Sequence, residues 1–118
     1  MPPNSAAFAA AVVARLTPLG PVVARRMFGG HGIFLDDVMF ALLAGDRLYF
    51  KVDAETKPAF AAAGAEPFVY RRKAKPIEMS YMTLPPDGDA DPQAFIDWAE
   101  MALAAAKRQA RSKRRRMT

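Results

Sequence analysis

The block from Gly32 to Val52 constrains the fold of this chain more than any other stretch. Residues 47–52 alternate strictly, with Leu48, Phe50 and Val52 apolar and Arg47, Tyr49 and Lys51 between them. Side chains on a strand repeat every two residues, so the first set faces a core and the second faces out. Upstream, Val38–Ala44 reads VMFALLA, apolar on both faces, which predicts a central strand. Gly32–Leu35 is a further strand with Ile33 and Leu35 on one face. The connections are Asp36-Asp37 and Gly45-Asp46, two residues each. Links this short leave neighbouring strands antiparallel, so the block is a meander. Gly45 supplies an easy positive φ, whereas Asp36-Asp37 has no glycine to do so.

The flanking sequence supplies helices and more strands. Asn4 is placed to cap a helix from Ser5 to about Leu16, with Phe8, Val12 and Leu16 on one stripe. Thr17-Pro18-Leu19-Gly20-Pro21 ends it, and Val22–Met27 reads as a first strand. Asp53 caps a second helix reaching about Ala63, with Gly64 as its stop; Pro58 moves the start toward Thr56. Pro67–Arg71 and Ile77–Leu84 are strands, joined by the basic connection Arg72-Lys73-Ala74-Lys75-Pro76. Pro85–Ala90 reads as a polar loop. Asp91 caps a last helix with Pro92 at its first position, running to about Arg108. The expected fold is α+β: a two-layer sandwich of an antiparallel sheet of five or six strands with helices on one face. Its order is α-β(3-4)-α-β(2)-α.

The residues that invite a chemical reading lie mostly in Arg25-Arg26-Met27-Phe28-Gly29-Gly30-His31-Gly32. Three glycines in four residues allow a sharp turn or a close approach to the backbone. A dinucleotide fingerprint would need glycine where Leu35 stands and a helix where a strand follows. The chain has one histidine and no cysteine, which excludes thiolate zinc sites, cysteine nucleophiles and a disulfide framework. His31 therefore lacks the partners of a general base or a transition-metal ligand, and Ser80 lacks a nucleophile-elbow sequence. No catalytic residue, metal site or cofactor site is expected. The surface Arg25, Arg26, Gly29, Gly30, His31 and Gly32 is the candidate binding surface of the folded body. Arg71, Arg72, Lys73 and Lys75 beside Phe68, Tyr70 and Tyr81 interleave bases with aromatics, a pattern that suits single-stranded nucleic acid or a core strand with a solvated hairpin.

Charge is unevenly divided. Lys107, Arg108, Arg111, Lys113, Arg114, Arg115 and Arg116 carry seven positive charges and no acid follows Lys107. The rest of the chain holds ten bases and twelve acids, so the body is slightly acidic and the basic end alone is a candidate nucleic-acid contact. Residues 1–108 are read as one domain and 109–118 as a disordered tail or frayed helix. No leader pattern opens the chain and no apolar run reaches the ~18 residues of a membrane span, so a cytoplasmic location is expected.

The chain resembles the N-terminal domain of the TfoX/Sxy family. The carrying residues are Arg26-Met27-Phe28-Gly29-Gly30-His31-Gly32, Met39-Phe40-Ala41-Leu42 and Leu48-Tyr49-Phe50-Lys51-Val52-Asp53. They continue with Gly64, Pro67-Phe68, Tyr70, Lys75-Pro76, Met79-Ser80-Tyr81 and the last helix around Trp98-Ala99. Together they cover roughly residues 8 to 108. The resemblance implies a two-layer α/β domain and a role beside transcription activators of the cyclic-AMP receptor protein type in regulating competence genes. It carries over no catalytic residue. An aromatic is commoner in the family at His31 and glycine at Asp37, and longer members add a C-terminal helical domain, so the chain is read as a single-domain member. The expectation is a non-enzymatic accessory regulator that contacts a protein partner, with non-specific DNA contact through the basic end, as monomer or homodimer. The alternative is a small-molecule-binding domain or minor enzyme with a pocket at Gly29–Gly32.

Overall fold

The structure, a computed structural model, describes residues 6–27, 29–45, 47–72 and 75–117, with 70–78 inside their strands and 114–117 inside their helix described as backbone only. The expected cap at Asn4 and the positions Phe28, Asp46, Lys73 and Ala74 lie outside the described residues.

The order is α1 (Ala6–Arg15), a 3₁₀ turn (Thr17–Leu19), β1 (Val23–Met27), β2 (Gly30–Leu35), β3 (Val38–Ala44), β4 (Arg47–Lys51), α2 (Lys57–Ala62), β5 (Pro67–Arg72), β6 (Lys75–Thr83), α3 (Pro86–Ala90) and α4 (Pro92–Met117). The strands form one six-stranded sheet in the order β1-β2-β3-β4-β6-β5, antiparallel throughout. The α+β architecture expected from the patterning is the one observed, and the two-sided strand Val38–Ala44 is central.

The Asp36-Asp37 link solves its problem by strain. Both residues adopt positive φ, 54° and 63°, the requirement of the tight turn that matches strand twist. Next to it, β2 and β3 slip register: Ile33 pairs with Ala41 but Phe34 with Met39. The extra residue is Phe40. A bulge of this kind turns two successive side chains toward one face, and Phe40 and Ala41 are both fully buried in the core. β3 is therefore apolar on two faces and also doubles its contribution to one of them.

α4 lies across β3 and β4, with Phe95 packed on Phe50 at 5.9 Å between ring centroids. Its cap is as the sequence predicts, since Asp91 accepts hydrogen bonds from the N–H groups of Gln93 and Ala94. α2 begins later than Asp53. Pro58 occupies its first turn, where no N–H is needed, and Asp53 instead closes the preceding turn. Its Oδ1 accepts from the N–H of Glu55 and Thr56, and its own N–H donates to Thr56 Oγ1. Residues 85–90, expected as a loop, contain the short helix α3. Gly88 allows it: a β-carbon there would stand 2.8 Å from Leu84 Cδ1 and Trp98 Cδ1. α4 continues as helix beyond Arg108 to Met117.

Candidate functional sites on the glycine hairpin, the basic helix and the open sheet face

The glycine stretch is a hairpin. Met27 of β1 pairs with Gly30 of β2, and Gly29 just before it has φ 76°. Gly30 and Gly32 lie inside β2, and each is needed for a different reason. A β-carbon on Gly30 would overlap the Leu43 carbonyl of β3. On Gly32 it would meet the sulfurs of Met27 and Met39, each at 2.8 Å, and the Phe34 ring at 3.0 Å. The missing side chains make room for neighbouring strands and methionines.

Strand alternation also disperses the other candidates. Arg26 pairs with His31 on the core-facing side, whereas Arg25 pairs with Gly32 on the opposite side. Arg25 lies over the Phe34 ring, 4.7 Å from its centroid, and 3.9 Å from Asp37. His31 is only 6% exposed, and its Nδ1 has no hydrogen-bond partner. Among the described residues no carboxylate joins it, and no group of three or more His, Asp or Glu side chains is close enough to share a metal. Two open clefts lie elsewhere. One, of about 190 Å³, is lined by Val52, Asp53, Lys57, Met79, Ser80 and Met82. The other is lined by Asp36, Val38, Lys107, Ala110 and Arg111.

The basic end divides into two parts. Lys107 Nζ sits 3.6 Å from Asp36 Oδ2. Arg108 donates from Nε to Asp53 Oδ2 at 2.7 Å and from a terminal nitrogen to Asp53 Oδ1 at 3.1 Å, and reaches Glu55 at 2.9 Å. A forked guanidinium contact of this kind strongly favours the ionised carboxylate. The Arg108 guanidinium accordingly holds the Asp53 carboxyl down at about 2. These two cations fasten α4 to the end of the sheet. Arg111 and Lys113 follow, exposed. The side chains of Arg114, Arg115 and Arg116 lie outside the described residues.

The sheet face away from the core holds what the alternation pattern missed. The alternation points Tyr49 and Lys51 toward solvent, yet they are only 9% and 7% exposed. The pattern shows which face a residue takes and not what covers that face. Phe68 packs on Tyr49 at 4.7 Å, and Lys51 Nζ lies 5.2 Å from the centroid of Tyr81. Arg47 stands 5.9 Å from the Tyr49 centroid and 3.6 Å from Glu66. Burial pushes the Tyr81 hydroxyl up to about 12. Burial first, then the charge of Lys113, lowers the Lys51 pKa, with Asp53 opposing. Of the expected basic–aromatic cluster, Phe68 and Tyr81 belong to this face. The side chains of Tyr70, Arg71, Arg72, Lys73 and Lys75 lie outside the described residues.

No helix among the described residues is long and apolar enough to cross a membrane. In comparison with curated proteins, the chain is 29% identical over 85 residues to the DNA transformation protein TfoX1 of Aliivibrio fischeri. That match covers 72% of this chain and 41% of the relative, so the chain spans well under half of the relative's length. The glycine hairpin, the tight meander and the first part of the closing helix fall within a match to the TfoX N-terminal domain that runs over residues 14–106, and the chain belongs to that family.

Proposed function

We propose that the protein is a non-enzymatic accessory regulator of the kind its relative's name suggests, tied to DNA transformation, which works by contact with a protein partner and touches DNA through the end of α4. The family supports the regulatory part. The observation that carries the DNA part is the division of labour in the basic run. Lys107 and Arg108 are spent on Asp36, Asp53 and Glu55, so the cations beyond them ride on a helix anchored to the body. An anchored helix presents its charges to phosphates at a smaller entropic cost than a free arm. The single histidine is buried with no carboxylate partner among the described residues, which gives no support to acid–base catalysis.

The test is a salt titration of duplex binding by the full chain and by a variant with Arg111, Lys113, Arg114, Arg115 and Arg116 changed to Gln. Lys107 and Arg108 are kept, because removing them would loosen the body. Each lost phosphate contact flattens the log–log salt dependence by about 0.9. An unchanged slope removes the DNA role and leaves the protein contact to be tested by pull-down.

A further inference from the structure

The helix-free face of the sheet is a second surface with its own chemistry. The register sets Arg25, Gly32, Leu42, Tyr49 and Thr83 in one row across the strands. Alongside it, Val23 neighbours Phe34, Phe34 neighbours Met39, and Lys51 neighbours Tyr81. Val23 is 49% exposed, and Phe34, Met39, Leu42, Phe68 and Tyr81 are half-buried. Three cations, Arg25, Arg47 and Lys51, lie over three rings of this face. The acids that approach them, Asp37 and Glu66, are exposed partners at 3.9 and 3.6 Å, contacts worth little in water. Lys51 Nζ lies beside the Tyr81 ring and has no ion pair among the described residues.

We propose that this face binds single-stranded nucleic acid, with backbone phosphates drawn to Arg25, Arg47 and Lys51 and bases laid on the Phe34–Arg25 and Tyr81 surfaces. Phosphates meet charge-assisted contacts at these cations, whose own acid partners Asp37 and Glu66 are exposed and weakly held. Bases suit the rest. Rings and a guanidinium plane stack with any base. A duplex hides its base faces and presents phosphates alone, so it cannot use the rings. A second copy of the same face would bring like cations together, which disfavours self-association. This surface is separate from the duplex contact of the far α4 cations.

The experiment is fluorescence anisotropy of the full chain with a labelled oligothymidylate of about 15 nucleotides, within the site sizes of such surfaces, and with the matching duplex. The expected result is single-strand binding tighter than duplex binding by about tenfold, the scale of one stacked base. Lys51→Met should weaken the single strand by about fivefold or more, leave the duplex unchanged and raise the thermal midpoint, because a desolvated charge has gone. Arg25→Gln, at an exposed position that folding does not need, should weaken the single strand alone. Equal or tighter duplex binding overturns the proposal. So does an unchanged single-strand affinity in Lys51→Met, or full competition by heparin-like polyanion with no loss in Arg25→Gln, which would mark a charge-only site. A concentration-dependent dimer by light scattering, abolished by Arg25→Gln, would assign the face to a second copy instead.

Discussion

At the scale of single residues, the glycine hairpin separates two demands that look identical in sequence. Gly29 needs its backbone angle: φ is 76°, but nothing lies within 4 Å of a built β-carbon. Gly30 needs its missing atom, because the Leu43 carbonyl occupies the place of a β-carbon. Gly29→Ala should therefore cost about 1 kcal/mol, the usual penalty of a left-handed alanine. Gly30→Ala should cost about 3 kcal/mol, since the obstacle is backbone that cannot rotate away. Urea unfolding of the two variants checks this, and equal costs would refute the distinction. The sequence made it legible that glycine was required here but not which glycine served which purpose, because the carbonyl of Leu43 arrives from a strand thirteen residues further on. Tyr49 and Lys51 show the same limit. Their alternation reads correctly as the outward face, yet Phe68 and Tyr81 reach them from strands that no local pattern connects to β4.

At the scale of elements, the tight links carry the most information and the most strain. The two-residue spacing of Asp36-Asp37 was enough to place an antiparallel pair. It did not disclose that both aspartates would hold positive φ, nor that Phe40 would sit in a bulge beside them. Aspartate tolerates the left-handed region better than most residues, but glycine adopts it without a β-carbon penalty. Asp37→Gly should therefore raise stability by about 0.5–1 kcal/mol, less the loss of glycine's extra freedom in the unfolded chain. Its exposed contact with Arg25 at 3.9 Å subtracts little. A lower thermal midpoint in Asp37→Gly would mean that the aspartate carboxylate supports the turn directly. The helices divide along similar lines. α4 was legible because Asp91 and Pro92 mark its start by local chemistry. α3 was not, because its reason lies in packing: Gly88 fits beneath Trp98 of a helix that has yet to begin. Asp91→Ala should cost about 1 kcal/mol, readable in the same unfolding assay.

At the scale of the whole molecule, the end of α4 is joined to the sheet by charge. Lys107 reaches Asp36 at the β2–β3 turn, and Arg108 reaches Asp53 just beyond β4, fifty-five residues away. The seven-cation run read as one feature in sequence because nothing local marks Lys107 and Arg108 as different from their neighbours. Folding distinguishes them by where α4 crosses the sheet edge. The Asp53 carboxyl, held at about 2 against an ordinary 3.8, makes this joint depend on pH. The folded state binds the proton more weakly than the unfolded chain, so the stabilisation is fully present above about pH 4 and is lost as pH falls toward 2. Discounted for the quarter of the carboxylate side chain that solvent still reaches, the loss is roughly 1–2 kcal/mol. Other carboxylates titrate over the same window, so the contribution has to be read as a difference. Arg108→Met keeps the aliphatic stem and removes the guanidinium. Its stability deficit relative to the native chain should be largest near neutral pH and should shrink by at least half at the acid end. The deficit that remains near pH 2 reflects an Asp53 carboxyl still partly ionised there and the contact of Arg108 with Glu55. Urea midpoints measured across the window decide the matter: a deficit independent of pH would mean that Arg108 holds the helix by packing and not by its charge.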